Sequence, residues 1–166
     1  MDSDSRAARR VLVATDATAA SVGAERAGIE LAARTGASLI ILHVIDPAHL
    51  RLPAGLFHAR VDEVRAVRES ALERIVADAR RVGVAAQFLI WQGDPGTCIL
   101  EAAEAEGADL IVVGSHGRGR VGRLVLGSVS SAIVDHARRP VVIIRPDQRL
   151  DDAWPKGSAY PVAARQ

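Results

Sequence analysis

The chain has 166 residues, of which 49% are apolar and 25% charged, enough for one domain with a substantial core. A formal net charge of +1 excludes the strong basic excess of a general nucleic-acid binder. The single cysteine excludes an internal disulfide, and no apolar run approaches membrane-spanning length.

Residues 1–9 read as a polar N-terminal tail without the apolar core of a signal peptide, so a cytoplasmic protein is expected. RVLVAT, Arg10 to Thr15, is a short apolar strand that ends at Asp16. Ser21 to Thr35 has a helical pattern, with Val22, Ala27, Ile29, Leu31 and Ala32 apolar and Gly36 as a stop. SLIILHVID, Ser38 to Asp46, is nearly continuous rather than alternating, which implies burial on both faces, as in a parallel sheet. Pro47 to Phe57 reads as a loop. A long helix follows, roughly from His58 to Val82. Its expected apolar stripe is Val61, Val64, Val67, Ala71, Leu72, Ile75, Val76 and Ala79, against a face of arginines and glutamates.

Ala85 to Trp91 is a third strand, and GDPG (Gly93 to Gly96) turns into a helix with Asp94 as N-cap and Pro95 at its first position. That helix runs to about Glu106. DLIVVG is a fourth strand, Ser128 to Ala137 a short helix, and PVVIIRP (Pro140 to Pro146) a fifth strand. Residues 147–166 read as a C-terminal tail carrying Trp154 and Tyr160, either an arm packed on the domain or a disordered terminus. Strands alternate with helices throughout, so the class is α/β: a single three-layer α/β/α domain over 10–146 with a mostly parallel five-stranded sheet. Ligands of such sheets sit beyond the carboxyl ends of the strands, where Asp16, His43 to Asp46 and the segment after the fourth strand converge.

That segment is GSHGRGRVGRLVLGSVSSAI, Gly114 to Ile133, with five glycines in its first fourteen residues. It is not a Walker A loop: the required Gly-Lys-Ser/Thr is Gly119-Arg120-Val121, and Lys156 is the only lysine in the chain. Gly117, Gly119 and Gly122 fit GxGxxG, but too little chain remains for the second half of a dinucleotide fold. The longer pattern is Gly114-x2-Gly117-x9-Gly127-Ser128. Gly114 and Gly117 let backbone N–H groups face a phosphate without Cβ crowding, and Gly127 and Ser128 open a helix whose free N–H groups suit an anion. The Ser128 and Ser130 hydroxyls are further candidate donors to phosphate. Read structurally, Ser128 is only an N-cap.

With VLVATDATAAS at the first strand, LHV at the second, GDPGTCILEAA before the third helix and the long glycine segment, the chain resembles the universal stress proteins. It is most similar to the subgroup that binds ATP through Gly-x2-Gly-x9-Gly-Ser/Thr. The resemblance implies the adenine nucleotide alpha hydrolase-like fold with strand order 3-2-1-4-5. It also implies ATP as ligand, with Mg2+ held mostly by phosphates and water. By the same resemblance Asp16 contacts the ribose and adenine side, Val44 packs and hydrogen-bonds adenine, and Val113 lines the adenine pocket. Gly114, Gly117, Gly127, Ser128, Val129 and Ser130 would hold ribose and phosphates. Ala14 stands where many relatives have proline or alanine, and Thr18 keeps the hydroxyl of a frequent serine.

Arg118, Arg120 and Arg123 lie inside the loop and each reads as solvated, although arginine suits phosphate geometry and one could reach the γ-phosphate; His116 could touch a phosphate but does not read as a catalyst. The five histidines show no metal-ligand spacing, and Cys98, beside Ile99 and Leu100, reads as a packed thiol. Nothing identifies a residue to position a water, so the expected role is a nucleotide-binding, stress-responsive regulator. A slow ATPase, a cyclic AMP-binding module and a non-nucleotide dimeric scaffold remain open alternatives. The fifth strand is an apolar edge without obvious cover. Relatives pair through this strand, so the resemblance implies a homodimer through Val141 to Ile144.

Overall fold

The computed structural model describes residues 9–50, 57–115 and 126–145. Strands and helices alternate in the order β1 (Arg10–Ala14), α1 (Val22–Thr35), β2 (Ser38–Ile45), α2 (Phe57–Arg81), β3 (Ala86–Gln92), α3 (Pro95–Ala105), β4 (Leu110–Gly114), α4 (Ser128–His136) and β5 (Val141–Ile144). All five strands join one sheet in the order β3-β2-β1-β4-β5, and every pairing is parallel. Successive strands run from β1 outward to β3, then return to the other side of β1 for β4 and β5. The direction of winding therefore reverses between β1 and β4.

The apolar runs of β1 and β2 are buried on both faces, as their lack of alternation predicts. Val11, Val13, Leu39 and Ile41 pack under α1 and α2 with Leu31, Leu72 and Val76. Leu12, Ile40 and Leu42 pack on the opposite face with Ile99, Ala102 and Ile133 of α3 and α4. Two aliphatic cores thus sandwich one sheet, and Val, Leu, Ile and Ala fill them almost without aromatic help.

Three local features seat the helices. Gly36 adopts a left-handed conformation (φ 69°) and its N–H donates to Ala32 O, closing α1. Asp94 Oδ2 accepts from the Thr97 N–H (2.9 Å) and hydroxyl (2.8 Å), capping α3 as its position predicts. At Gly28, α1 comes so close to β1 that a Cβ would lie 2.1 Å from Val13 Cγ2.

The strands β1 and β2 stop one residue short of the expected ends, releasing Thr15 and Asp46 onto the crest of the sheet. α1 begins at Val22 because Ala19–Ser21 forms a short 3-10 turn. A second such turn, Pro47–His49, opens the segment expected to be loop; Asp46 Oδ1 accepts from Ala48 N–H there.

One expectation is corrected. Val67 does not belong to the buried stripe of α2; it is 65% exposed. At about 100° per residue, Val67 sits about 120° around the helix from Val61, whereas Arg68 sits only about 20° away. Val61, Leu72, Val76 and Ala79 are buried as expected.

The Val13 contact sets a test of the fold. Gly28→Ala forces a methyl group into a stiff β-branched neighbour and is expected to lower stability by about 1–3 kcal/mol, read from the urea midpoint. A midpoint equal to wild type refutes the close α1–β1 approach.

Candidate functional site

The carboxyl ends of β1, β2 and β4 border a cavity of about 500 Å³, a size typical of small-ligand sites. Its β1 wall is Ala14, Thr15 and Asp16, and its β2 wall is Leu42 to Asp46. Val113 and Gly114 close it at β4, and Gly127 to Ser130 bring in the start of α4. Of the ten residues expected to form the site, nine therefore line one cavity: Ala14, Asp16, Val44, Val113, Gly114, Gly127, Ser128, Val129 and Ser130. Gly117 lies outside the described residues, as do His116, Arg118, Arg120 and Arg123.

Asp16 is held in place by its own loop. Its Oδ1 accepts from the Thr18 N–H (3.0 Å), the Thr18 hydroxyl (2.7 Å) and the Ser21 hydroxyl (2.6 Å). The next residue, Ala17, takes a left-handed φ of 56°, rare outside glycine, asparagine and aspartate. Its N–H donates to Thr15 Oγ1 (2.9 Å). The loop is thus shaped around a carboxylate that borders the cavity.

At the α4 end the N-cap is Gly127, in an extended conformation (φ −68°, ψ 169°), and as a glycine it offers no capping side chain. In contrast with α3, capped by Asp94, the start of α4 borders the cavity with no side-chain hydrogen bond from its own N-cap residue. Ser128 is exposed at this end.

Two expectations about individual residues change. Ser130 is buried and its hydroxyl donates to Gly114 O (3.0 Å), tying α4 to the end of β4 instead of offering that proton to a phosphate. Gly114 does not have a positive φ, and a Cβ there would meet Ala20 O, Ala24 Cβ and Ile144 O at 3.8–3.9 Å, ordinary contact distances. Its lack of a side chain is therefore not demanded by crowding within the described residues.

A polar cluster that composition and spacing did not reveal lies at the base of the site. Thr15 Oγ1 donates to Glu25 Oε1 (2.5 Å). The buried His43 ring meets Thr15 O through Nδ1 (2.9 Å). A carbonyl can only accept, so Nδ1 carries the proton and Nε2 is left as an acceptor. Burial lowers the pKa of His43; the Thr15 carbonyl opposes the shift, the charge of Arg68 adds to it and Asp16 opposes it. Burial likewise raises the Glu25 carboxyl above its ordinary 4.5, against the Thr15 hydrogen bond and with the help of Asp16. Thr15 and Glu25 lie ten positions apart and His43 is one strand away, so the packing of α1 on β1 and the sheet register together assemble them. Val64 and Arg68 of α2, with Leu50, Pro95 and Ile99, also line the cavity and were not read from the sequence as site residues. Cys98 is buried as expected, and burial pushes its thiol pKa up.

The model of the universal stress protein family matches residues 7–145. The chain belongs to the universal stress protein family. A relative from Mycolicibacterium smegmatis, a universal stress protein, is 31% identical over 146 residues, covering 84% of this chain but only 49% of its own length. The chain therefore spans about half of that longer protein. Among solved structures, the universal stress protein UspA from Lactobacillus plantarum superposes with a TM-score of 0.72 at 28% identity, covering 82% of this chain and 97% of its own. A universal stress protein solved in complex with cAMP matches with a TM-score of 0.62 at 25% identity, over 85% of this chain and 99% of its own. In this family member the crest cavity, the Asp16 loop and the α4 N-terminus stand together at the reversal point of the sheet.

Glu25 sets a pH test. A carboxyl whose folded pKa is raised holds its proton more tightly in the folded than in the unfolded state. Stability is then greatest below the ordinary value, falls as pH rises through the raised one and levels above it. Glu25→Gln keeps an oxygen for the Thr15 hydroxyl and removes the titration. Its stability relative to wild type is expected to rise as pH increases from the ordinary carboxylate range through the raised pKa and to level above it, measured as urea midpoints. Parallel profiles for the two proteins rule out a buried ionising Glu25.

Proposed function

We propose that the protein is a cytoplasmic ATP-binding regulator of the stress response that acts as a homodimer. One observation carries this reading: a single cavity joins an apolar end at Val44 and Val113 to the N-terminus of α4 at Gly127-Ser128, where the N-cap is a glycine. A nucleotide has the matching halves, a flat apolar base and an anion. The residues present fit it. Adenine lies against Val44 and Val113, Asp16 takes the ribose, and the first amides of α4 with the Ser128 hydroxyl take phosphate. Gly117, outside the described residues, belongs to the same phosphate motif by its spacing in the sequence. Mg2+ arrives with the nucleotide, coordinated mostly by phosphate oxygens and water. Binding of cAMP by a structural relative supports an adenine nucleotide as the ligand class.

Occupancy alone is sufficient for regulation if the bound and free forms differ in conformation or in the partners they accept. The homodimer reading rests on β5, an edge strand that pairs only with β4 among the described residues. Its Val141, Val142 and Ile143 are only partly covered within one chain.

The first experiment identifies small molecules released on denaturing the protein as purified, by mass spectrometry, followed by calorimetry with ATP. Near-stoichiometric ATP or ADP is expected, and their ratio reports turnover. An empty protein that also binds no ATP defeats the reading. Gly127→Asp sharpens it, because aspartate is a good N-cap in the extended conformation seen at Gly127 but repels phosphate. The variant is expected to melt no lower than wild type and to bind ATP at least about 10-fold more weakly, about 1.4 kcal/mol. Sedimentation at micromolar concentration tests the dimer, and a monomer there refutes it.

A further inference from the structure

The α2 helix carries an arginine where its buried stripe calls for an apolar residue. Arg68 follows Val64 by four positions and precedes Leu72 by four, so all three lie on one helical face. Val61 and Leu72 on that face are buried, and Arg68 itself is half-buried. No carboxylate forms an ion pair with it among the described residues. Instead it lines the crest cavity beside Val64, close enough to the buried His43 for its charge to act on the ring.

Its place in the fold selects which end of a ligand it meets. α2 packs on β2 and β3, whereas the α4 N-terminus stands beyond β4 on the other side of β1. Neighbouring strands are about 4.8 Å apart, so β2 and β4 are separated by about 10 Å. A phosphate at Gly127-Ser128 therefore points the base away, toward the β2 end of the cavity, which Val44 and, from α2 on the other face of the sheet, Arg68 both line.

We propose that Arg68 is a base-contacting residue: its guanidinium covers the nucleobase at the β2 end of the cavity. A guanidinium is weakly hydrated, planar and attracted to aromatic faces, so it tolerates half-burial better with a purine than without one. Arg68 then contributes to selection of the base and not to the phosphate grip. This inference rests on the nucleotide reading of the cavity.

The test is calorimetry of the full chain with adenosine, ATP and ribose 5-phosphate, using wild type, Arg68→Gln and Arg68→Lys. Arg68→Gln is expected to weaken adenosine and ATP by the same factor, about 3- to 30-fold, and to leave ribose 5-phosphate unchanged. Arg68→Lys, charged but not planar, is expected to recover only part of the loss, and it supplies the reading if the glutamine variant does not fold. Unchanged adenosine binding in both variants, or a loss confined to ATP and ribose 5-phosphate, overturns the assignment while leaving nucleotide binding intact. A wild-type protein that binds neither adenosine nor ATP overturns the nucleotide reading itself, and the assignment with it.

Discussion

The parallel pairing of β1 with β2 on one side and β4 on the other is the constraint on which the rest of the structure depends. β1 is only five residues long, yet Val11, Leu12 and Val13 are fully buried and anchor both aliphatic cores. The pairing continues past its last strand residue, where Thr15 N–H donates to Leu42 O (2.9 Å). It holds three strand ends at one level, so the loops that leave them face one another. Because the winding reverses beside β1, the connections leave β1 and β4 toward opposite faces of the sheet, and a cavity lies at this crest among the described residues.

Close helix packing makes the crest rigid enough to hold a shaped loop. The α1 helix lies tight on β1 because Gly28 presents no side chain to Val13. That approach places Glu25 and Ser21 beside Thr15 and Asp16, where each makes a hydrogen bond. The left-handed Ala17 between them is a local cost offset by these contacts. On the opposite face α3 and α4 pack on each other and on the sheet, and the Ser130 hydroxyl fastens the start of α4 to Gly114. One end of the cavity thereby has its carboxylate fixed, and the other its helix amides.

Electrostatics at the crest follow from burial. Three ionisable groups meet there with different outcomes. Asp16 accepts three hydrogen bonds within its own loop, Glu25 is pushed toward its neutral form, and burial lowers the His43 pKa while one ring nitrogen is committed to a backbone carbonyl. The shared element is Thr15, whose hydroxyl and carbonyl serve Glu25 and His43 respectively.

By itself the sequence determined the order of elements, the parallel character of the sheet and the strand ends at which a cavity forms. Those features are written in local signals: unbroken apolar runs such as SLIILHVI, the stop at Gly36, the Asp94-Pro95 cap, and the glycine spacing from Gly114 to Ser128. The strand ends pointed to Asp16 and Val44, and the family resemblance added Ala14, Val113 and Val129, which no local pattern distinguishes from plain core. Only the tertiary structure decided that Ser130 serves Gly114, that a Cβ at Gly114 meets only ordinary contacts among the described residues, and that Thr15, Glu25 and His43 form one cluster. It also separated Val67 from Arg68: an apolar residue left in solvent and an arginine turned to the cavity. A list of apolar positions does not fix helical phase, and hydrogen bonds between residues 10 to 28 positions apart exist only once the strands are in register.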